Sequence, residues 1–324
     1  MARYKVLVTR RIPQVGLDML GEECDLDISP HDRPFSREEL LSMVRGKDGA
    51  VTLLTDKVDG ELLDAAAGAR GFANFAVGFD NMDIAEATRR GIPLSNTPDV
   101  LTEATAEMAW ALLFSVARRV VESDGVMRSG KWNGWAPLQF IGGDITGATL
   151  GIVGAGRIGA AMARKSTGFR MKVLYADARP NSALEAEIGA RHVPLETLVR
   201  ESDFVSVHVP LLPETRHLFS YDTFTQMKRT AYLVNTSRGP VLKEDDLVRA
   251  LKEGLIAGAG LDVYEKEPLM ADGLAALSNV VICPHTASAT TTSRNGMAAK
   301  AAMNLLAMLR GERAPDCLNP EIYG

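Results

Sequence analysis

The stretch G-A-G-R-I-G at residues 154–159 follows the apolar run A-T-L-G-I-V and leads into R-I-G-A-A-M-A-R-K-S. Strand, tight glycine turn and helix in that order make a phosphate-gripping element. Gly154 permits the turn, Gly156 lets backbone approach a pyrophosphate, and Gly159 lets the helix pack close to the strand. Arg157 and Ile158 lie between them, where the helix N-terminus offers N–H groups and the positive end of its dipole. Asp177 ends the next strand candidate, M-K-V-L-Y-A, where a carboxylate can bind adenosine ribose hydroxyls. A glycine motif alone is weak, and Asp177 alone reads as a turn-initiating aspartate. Together, behind a strand, they point to dinucleotide binding.

Such a turn normally follows the first strand of its domain, yet nearly half of this chain comes first. That half alternates strand and helix. K-V-L-V-T-R reads as a strand, P-Q-V-G-L-D-M-L as a short helix, and S-R-E-E-L-L-S-M-V as a helix capped by Ser36 with Glu39 three residues on. G-A-V-T-L-L-T and I-P-L-S-N-T are further strands. A long apolar helix over 102–127 then leads into a second strand–helix alternation, and a last helix spans 292–310. The layout suggests a nucleotide-binding domain over 99–286 inserted into an α/β domain made of 1–98 and 287–324. Crossing points near 99 and 287 would form a hinge, with a substrate cleft beside it. A tandem arrangement of two α/β units reads the same way from these patterns.

A chain of 324 residues suggests two domains. Its hydrophobic content of 46% and charged content of 24% are those of a soluble globular protein. A net charge of −5 gives no basic face for nucleic acid. Cys24, Cys283 and Cys317 are scattered, so neither a disulfide framework nor a metal site is expected. The opening M-A-R-Y-K-V-L-V-T-R lacks a signal-peptide core, which makes the cytoplasm the expected compartment. M-A-W-A-L-L-F is too short a run, flanked by Glu107, Arg118 and Arg119, to span a membrane.

The later strands each end in a reactive side chain. N-T-S-R-G places Arg238 after one, G-L-D-V-Y-E-K-E-P places Asp262 and Glu267 after another, and C-P-H-T-A-S places His285 after the last. In open α/β sheets the ligand crevice lies at the carboxyl ends of strands, so these residues can converge. Singly, each has a plain structural reading; jointly they are far more informative.

With F-A-V-G-F-D-N-M-D, N-T-P-D-V-L-T-E-A-T-A-E and S-D-F-V-S-V-H-V-P-L in the same order, the chain resembles the D-isomer-specific 2-hydroxyacid dehydrogenases, most closely their glyoxylate/hydroxypyruvate reductase branch. The resemblance covers nearly the whole chain. It implies a Rossmann-type nucleotide-binding domain inserted into a flavodoxin-like substrate-binding domain. It also implies a catalytic set of Arg238, Glu267 and His285. Planar Arg238 would bind a 2-keto acid and polarise its carbonyl. His285 would donate the proton to the carbonyl oxygen, with Glu267 favouring its protonated form. Substrate contacts fall on Leu54, Ala76, Val77 and Gly78, besides Arg238 and His285. Around NAD the match implicates Thr105, Arg157, Ile158, Asp177, Val209, Pro210, Thr215, Thr236, Arg238, Asp262 and His285. T-A-S after His285 departs from the family's usual I-G-S or I-G-A, which bears on backbone contacts of Ala287 to nicotinamide.

The reading is therefore an NAD-dependent reductase of small 2-keto acids such as glyoxylate or hydroxypyruvate. NADH is expected over NADPH because Asp177 would repel a 2′-phosphate, although Arg157 and Arg179 oppose it. D-3-phosphoglycerate dehydrogenase is the rival enzyme, disfavoured because F-A-V-G-F and V-T-L-L-T offer no cation for a phosphate. A corepressor-like NAD sensor is the rival of another class. The resemblance further implies a homodimer, with K-W-N-G-W-A-P-L in its arm. Trp132 and Trp135 there read either as core residues or as interface anchors.

Overall fold

A computed structural model describes residues 3–324. Met1 and Ala2, the first letters of the opening run, lie outside the described residues. The chain forms two compact units, one from the segment ending at Leu101 together with Ala289–Gly324, the other from Thr102–Ser288.

In the first unit β1 (Tyr4–Val8), β2 (Cys24–Ile28), β3 (Gly49–Thr52), β4 (Phe72–Asn74) and β5 (Leu94–Ser95) form a parallel sheet ordered β2-β1-β3-β4-β5. That is the flavodoxin-like order. Four helices connect them: α1 (Gln14–Gly21), α2 (Arg37–Met43), α3 (Gly60–Ala65) and α4 (Ile84–Arg89). The expected cap of α2 is present. Ser36 Oγ accepts the Glu39 N–H at 3.2 Å, and Glu39 accepts the Ser36 N–H at 2.7 Å. Apolar residues of α2 and α3 (Leu40, Leu62, Leu63) pack with Leu7, Ala50, Phe72 and Leu94 of the strands into one core. β2 and β4 have no counterpart among the strands expected from the sequence, because C-D-L-D-I is half polar and F-A-N is too short to show a period.

The second unit opens with α5 (Thr102–Ala117) and α6 (Val120–Arg128). A single helix over 102–127 was expected, and the structure divides it. Arg119 is left-handed at φ 52°, and the Ala117 carbonyl accepts the Gly143 N–H at 2.9 Å instead of continuing the helix. A Cβ at Gly142 would stand 2.0 Å from that carbonyl oxygen, so glycine permits the approach. None of the described helices is long and apolar enough to cross a membrane.

The seven strands that follow are β6 (Thr149–Val153), β7 (Lys172–Ala176), β8 (Arg191–His192), β9 (Phe204–Val207), β10 (Tyr232–Asn235), β11 (Gly258–Leu261) and β12 (Val280–Ile282). Their order, β12-β11-β10-β9-β6-β7-β8, is wholly parallel and reverses direction beside β6, the Rossmann pattern. The connecting helices are α7 (Arg157–Lys165), α8 (Ser182–Ile188), α9 (Leu195–Glu201), α10 (Tyr221–Gln226) and α11 (Glu244–Lys252). One apolar cluster joins α5 and α7 to the sheet, and another joins α9, α10 and α11 to it. Both faces are thus covered, as a parallel sheet requires. The chain then returns to the first unit with α12 (Thr291–Leu309). There Gly16 of α1 lies so close to Ala298 that a Cβ would meet its carbonyl at 2.7 Å.

Candidate functional site

In the second unit the glycine turn lies at the switch point, after β6. Gly154 has φ +92°, and a Cβ there would meet His208 and Val209 backbone at 2.9 Å. A Cβ at Gly159 would be 2.0 Å from the Gly154 oxygen. Gly156, by contrast, has nothing within 4 Å of its Cβ position and starts α7 without a side-chain cap. Two glycines are thus demanded by packing, while the third leaves open space at a helix N-terminus, the form of an anion site. Exposed Arg157 and half-buried Ile158 occupy the first turn of that helix.

Asp177 follows β7, is exposed, and accepts the Ala155 N–H of the turn through Oδ2 at 2.7 Å. Beside it lies a cavity of about 510 Å³ lined by Val153, Asp177, His192, Val193, Val209 and Leu218, among others. An apolar slot next to a carboxylate and a glycine turn suits a purine, its ribose and its phosphates. His192, which the sequence did not single out, donates from Nε2 to the Asp177 carbonyl at 2.9 Å and stacks on Tyr175. Thr215 braces the loop carrying Val209 and Pro210 by donating to the Pro210 carbonyl at 2.6 Å. Thr236 is buried with its hydroxyl unsatisfied by the described residues, and Thr105 is buried near the start of α5. These residues fit a dinucleotide.

Arg238, Asp262, Glu267 and His285 all come from the carboxyl ends of β10, β11 and β12. The Glu267 carboxylate meets His285 Nδ1 at 2.9 Å. Burial pushes the Glu267 carboxyl up, but the hydrogen bond and charge of His285, the Tyr264 N–H and the Arg238 charge together hold it below its usual value. Glu267 is therefore an anion lodged beside His285. His285 itself is left-handed at φ 54°. Asp262 holds that turn: its carbonyl accepts the His285 N–H at 2.9 Å, and its two carboxylate oxygens accept the N–H groups of Thr286 and Ala287 at 2.7 Å each. Fully buried Asp262 thus shapes the histidine loop, a role that its place after a strand did not announce. Tyr264, also unanticipated, anchors the same loop by donating to the Cys283 carbonyl at 2.7 Å. Among the described residues no His, Cys, Asp and Glu cluster could hold a metal. Such an arrangement can bind a planar anion at Arg238 and exchange a proton at His285 Nε2.

Leu54, Ala76, Val77 and Gly78 belong to the first unit, in the loops after β3 and β4. Every carbonyl of the Ala76–Val77–Gly78 loop is already engaged. Thr97 N–H donates to Ala76 O at 2.8 Å, Asn96 Nδ2 to Val77 O at 2.7 Å, and Asn74 Nδ2 to Gly78 O at 3.0 Å. The N–H groups of the same three residues have no acceptor among the described residues. With carbonyls tied down and N–H groups available, the loop could receive a small anion. Asn81 braces it further by donating to Leu53 O at 3.1 Å and Asp56 O at 2.9 Å, which fixes the backbone on either side of Leu54.

Residues 110–287 match the family described as D-isomer specific 2-hydroxyacid dehydrogenase, NAD binding domain. The chain is 51% identical over 320 residues to a glyoxylate reductase of Korarchaeum cryptofilum, covering 98% of this chain and 96% of that protein. It is 49% identical over 324 residues to a glyoxylate reductase of Thermococcus kodakarensis, with 99% and 97% covered. Among solved structures, the NADPH-dependent glyoxylate/hydroxypyruvate reductase of Sinorhizobium meliloti, in complex with NADP and malonate, is similar with a TM-score of 0.86 at 31% identity, covering 98% of each chain.

Proposed function

The chain belongs to the D-isomer-specific 2-hydroxyacid dehydrogenases, in their glyoxylate reductase branch, and from that premise we propose that it reduces glyoxylate, and with it hydroxypyruvate, to the 2-hydroxy acid. The observation that carries this reading is the Glu267–His285 contact at 2.9 Å, formed at the strand ends that also present Arg238. We assign the first unit to substrate binding and the second to the dinucleotide. Bound NADH supplies the hydride.

The protein's own residues then have distinct tasks. N–H groups of Ala76, Val77 and Gly78 take the substrate carboxylate, with Leu54 beside them. Arg238 binds the keto acid through its planar fork and draws electron density onto the carbonyl oxygen. Negative charge growing on that oxygen is quenched by a proton from His285 Nε2. Glu267, on Nδ1, holds the ring in place and leaves Nε2 to exchange the proton. For the reverse reaction neutral His285 accepts the hydroxyl proton at the same atom.

Gly154, Gly156 and Gly159 with Arg157 and Ile158 are assigned to the pyrophosphate, Asp177 to the adenosine ribose, and Val209, Pro210, Thr215, Thr236, Thr105 and Asp262 to the remaining surround. A 2′-phosphate would set negative charge against Asp177, so NADH is favoured here, in contrast to the NADPH-dependent relative of Sinorhizobium meliloti. The test is initial rates with glyoxylate, hydroxypyruvate, pyruvate and phosphohydroxypyruvate, each with NADH and NADPH. Glyoxylate or hydroxypyruvate should lead, and NADH should exceed NADPH by at least about tenfold in kcat/KM, equivalent to ~1.4 kcal/mol. Equal kcat/KM for the two cofactors would mean that Arg157 and Arg179 outweigh Asp177. Nucleotide binding without turnover of any acid would favour a sensor instead.

The arm after α6 also has a proposed role. Trp135 is 83% exposed and Leu138 81%, with Trp132 half-exposed, so the core reading of both tryptophans does not hold. Apolar side chains left bare in this number suit an interface with a second copy of the chain. Trp135→Ala is expected to weaken a homodimer, measured by sedimentation velocity over a dilution series. A dimer equally stable in the variant would remove Trp135 from the interface.

A further inference from the structure

A second histidine–carboxylate contact lies in the same unit, apart from the residues assigned to the reaction. His217 Nε2 is 2.7 Å from Glu265 Oε1. The other oxygen of Glu265 accepts the Glu244 N–H at 3.0 Å, at the start of α11. In return Glu244, itself buried, accepts the Glu265 N–H at 2.7 Å and the Ala271 N–H at 2.8 Å. Each glutamate therefore holds the backbone of the other. α11 has no side-chain cap of its own, since Lys243 at its N-cap provides none, so Glu265 satisfies a donor that would otherwise be orphaned.

The two loops joined in this way are those of the reaction. Glu244 follows the loop that begins at Arg238, and Glu265 precedes Glu267 by two positions. Their backbones touch at Gly239, where a Cβ would fall 1.9 Å from the Tyr264 carbonyl. His217 comes from a third segment laid along the first loop: its N–H donates to Pro240 O at 2.8 Å, and Phe219 N–H donates to Val241 O at 3.1 Å. The His217 backbone is left-handed, φ 55°, a conformation retained where surrounding contacts impose it. Burial pushes the Glu265 carboxyl up, and the Glu244 N–H together with His217 bring it below its usual value.

We propose that His217 is a positioning residue, which fixes through Glu265 and Glu244 the spacing between the loop of Arg238 and the loop of Glu267. Two adjacent carboxylates hold this seam, and His217 supplies the donor that keeps Glu265 turned towards Glu244 rather than towards water. A misplacement of about 1 Å at a reacting group is enough to lower a rate by ~100-fold, so a contact remote from substrate can govern turnover. The inference rests on the assignment of Arg238 and Glu267 to keto acid reduction.

His217→Asn and His217→Gln separate positioning from folding. Asparagine is at ease in a left-handed backbone but too short to reach Glu265, whereas glutamine places an amide N–H near the imidazole Nε2 position. With glyoxylate and NADH, His217→Asn should lose about 10- to 100-fold in kcat/KM, while its Kd for NADH, titrated by fluorescence, stays within about twofold. His217→Gln should recover to within roughly threefold of the wild type. The proposal is overturned if folded His217→Asn turns over like the wild type, if glutamine fails to restore activity, if NADH affinity falls in step with turnover, or if His217→Asn does not fold. Absence of turnover in the wild type would instead refute the reductase assignment itself.

Discussion

His285→Ala is expected to lower kcat for keto acid reduction by about 100- to 10,000-fold, the usual contribution of a positioned general acid. NADH affinity should change little, because the glycine turn, Asp177 and the apolar slot are built from β6, β7 and their loops. The residue is suited to the task by its surroundings. Glu267 on Nδ1 leaves Nε2 as the proton-carrying atom, and Asp262 holds the left-handed turn that aims the ring. Kinetics of the purified variant beside an NADH titration check this. A kcat above about a tenth of wild type would remove His285 from proton transfer.

Arg238→Lys should be nearly as severe, with kcat/KM for glyoxylate reduced by roughly 100-fold, or ~2.7 kcal/mol. Lysine keeps the charge but not the fork, and a compact ammonium cannot bind carboxylate and carbonyl together. Loss in kcat as well as a raised KM is expected, since in the proposed reaction the guanidinium would serve both the bound acid and the charge that develops on its carbonyl. The Arg238 loop itself should survive, because Asn235 holds its backbone by donating to the Arg238 carbonyl at 3.0 Å. Values of kcat and KM both within about twofold of wild type would place Arg238 outside the substrate site.

What could be read from the letters follows the range of the forces involved. The turn at 154–159 was legible because its requirements are local: a left-handed residue at Gly154 and a close approach at Gly159 admit no other side chain. The cap of α2 is likewise settled within four residues. The break between α5 and α6 was not legible, since it depends on Gly142 and Gly143 delivering an N–H to Ala117 from far along the chain. β8, with two residues, carries no period to detect.

Similar limits apply to the site. Arg238, Glu267 and His285 stood out by lying after apolar runs. His217, Glu244 and Glu265 did not stand out in the sequence, because their mutual bonds form only where segments distant along the chain meet. The loop of Ala76, Val77 and Gly78, proposed to take the substrate carboxylate, has no chemical signature in its side chains at all. Its character comes from Asn74, Asn96 and Thr97, which occupy the carbonyls. Asp262 was legible as a residue at a strand end, but not as the brace of the histidine turn.

The most direct test of the central claim follows the hydrogen itself. The protein is supplied with glyoxylate and NADH carrying deuterium at both C4 positions, and the product is analysed by mass spectrometry. Glycolate with a single deuterium at C2, formed in step with NADH oxidation, is the result expected. Glycolate free of deuterium, or no glycolate while NADH remains bound and unchanged, would contradict the assignment of this chain as a keto acid reductase.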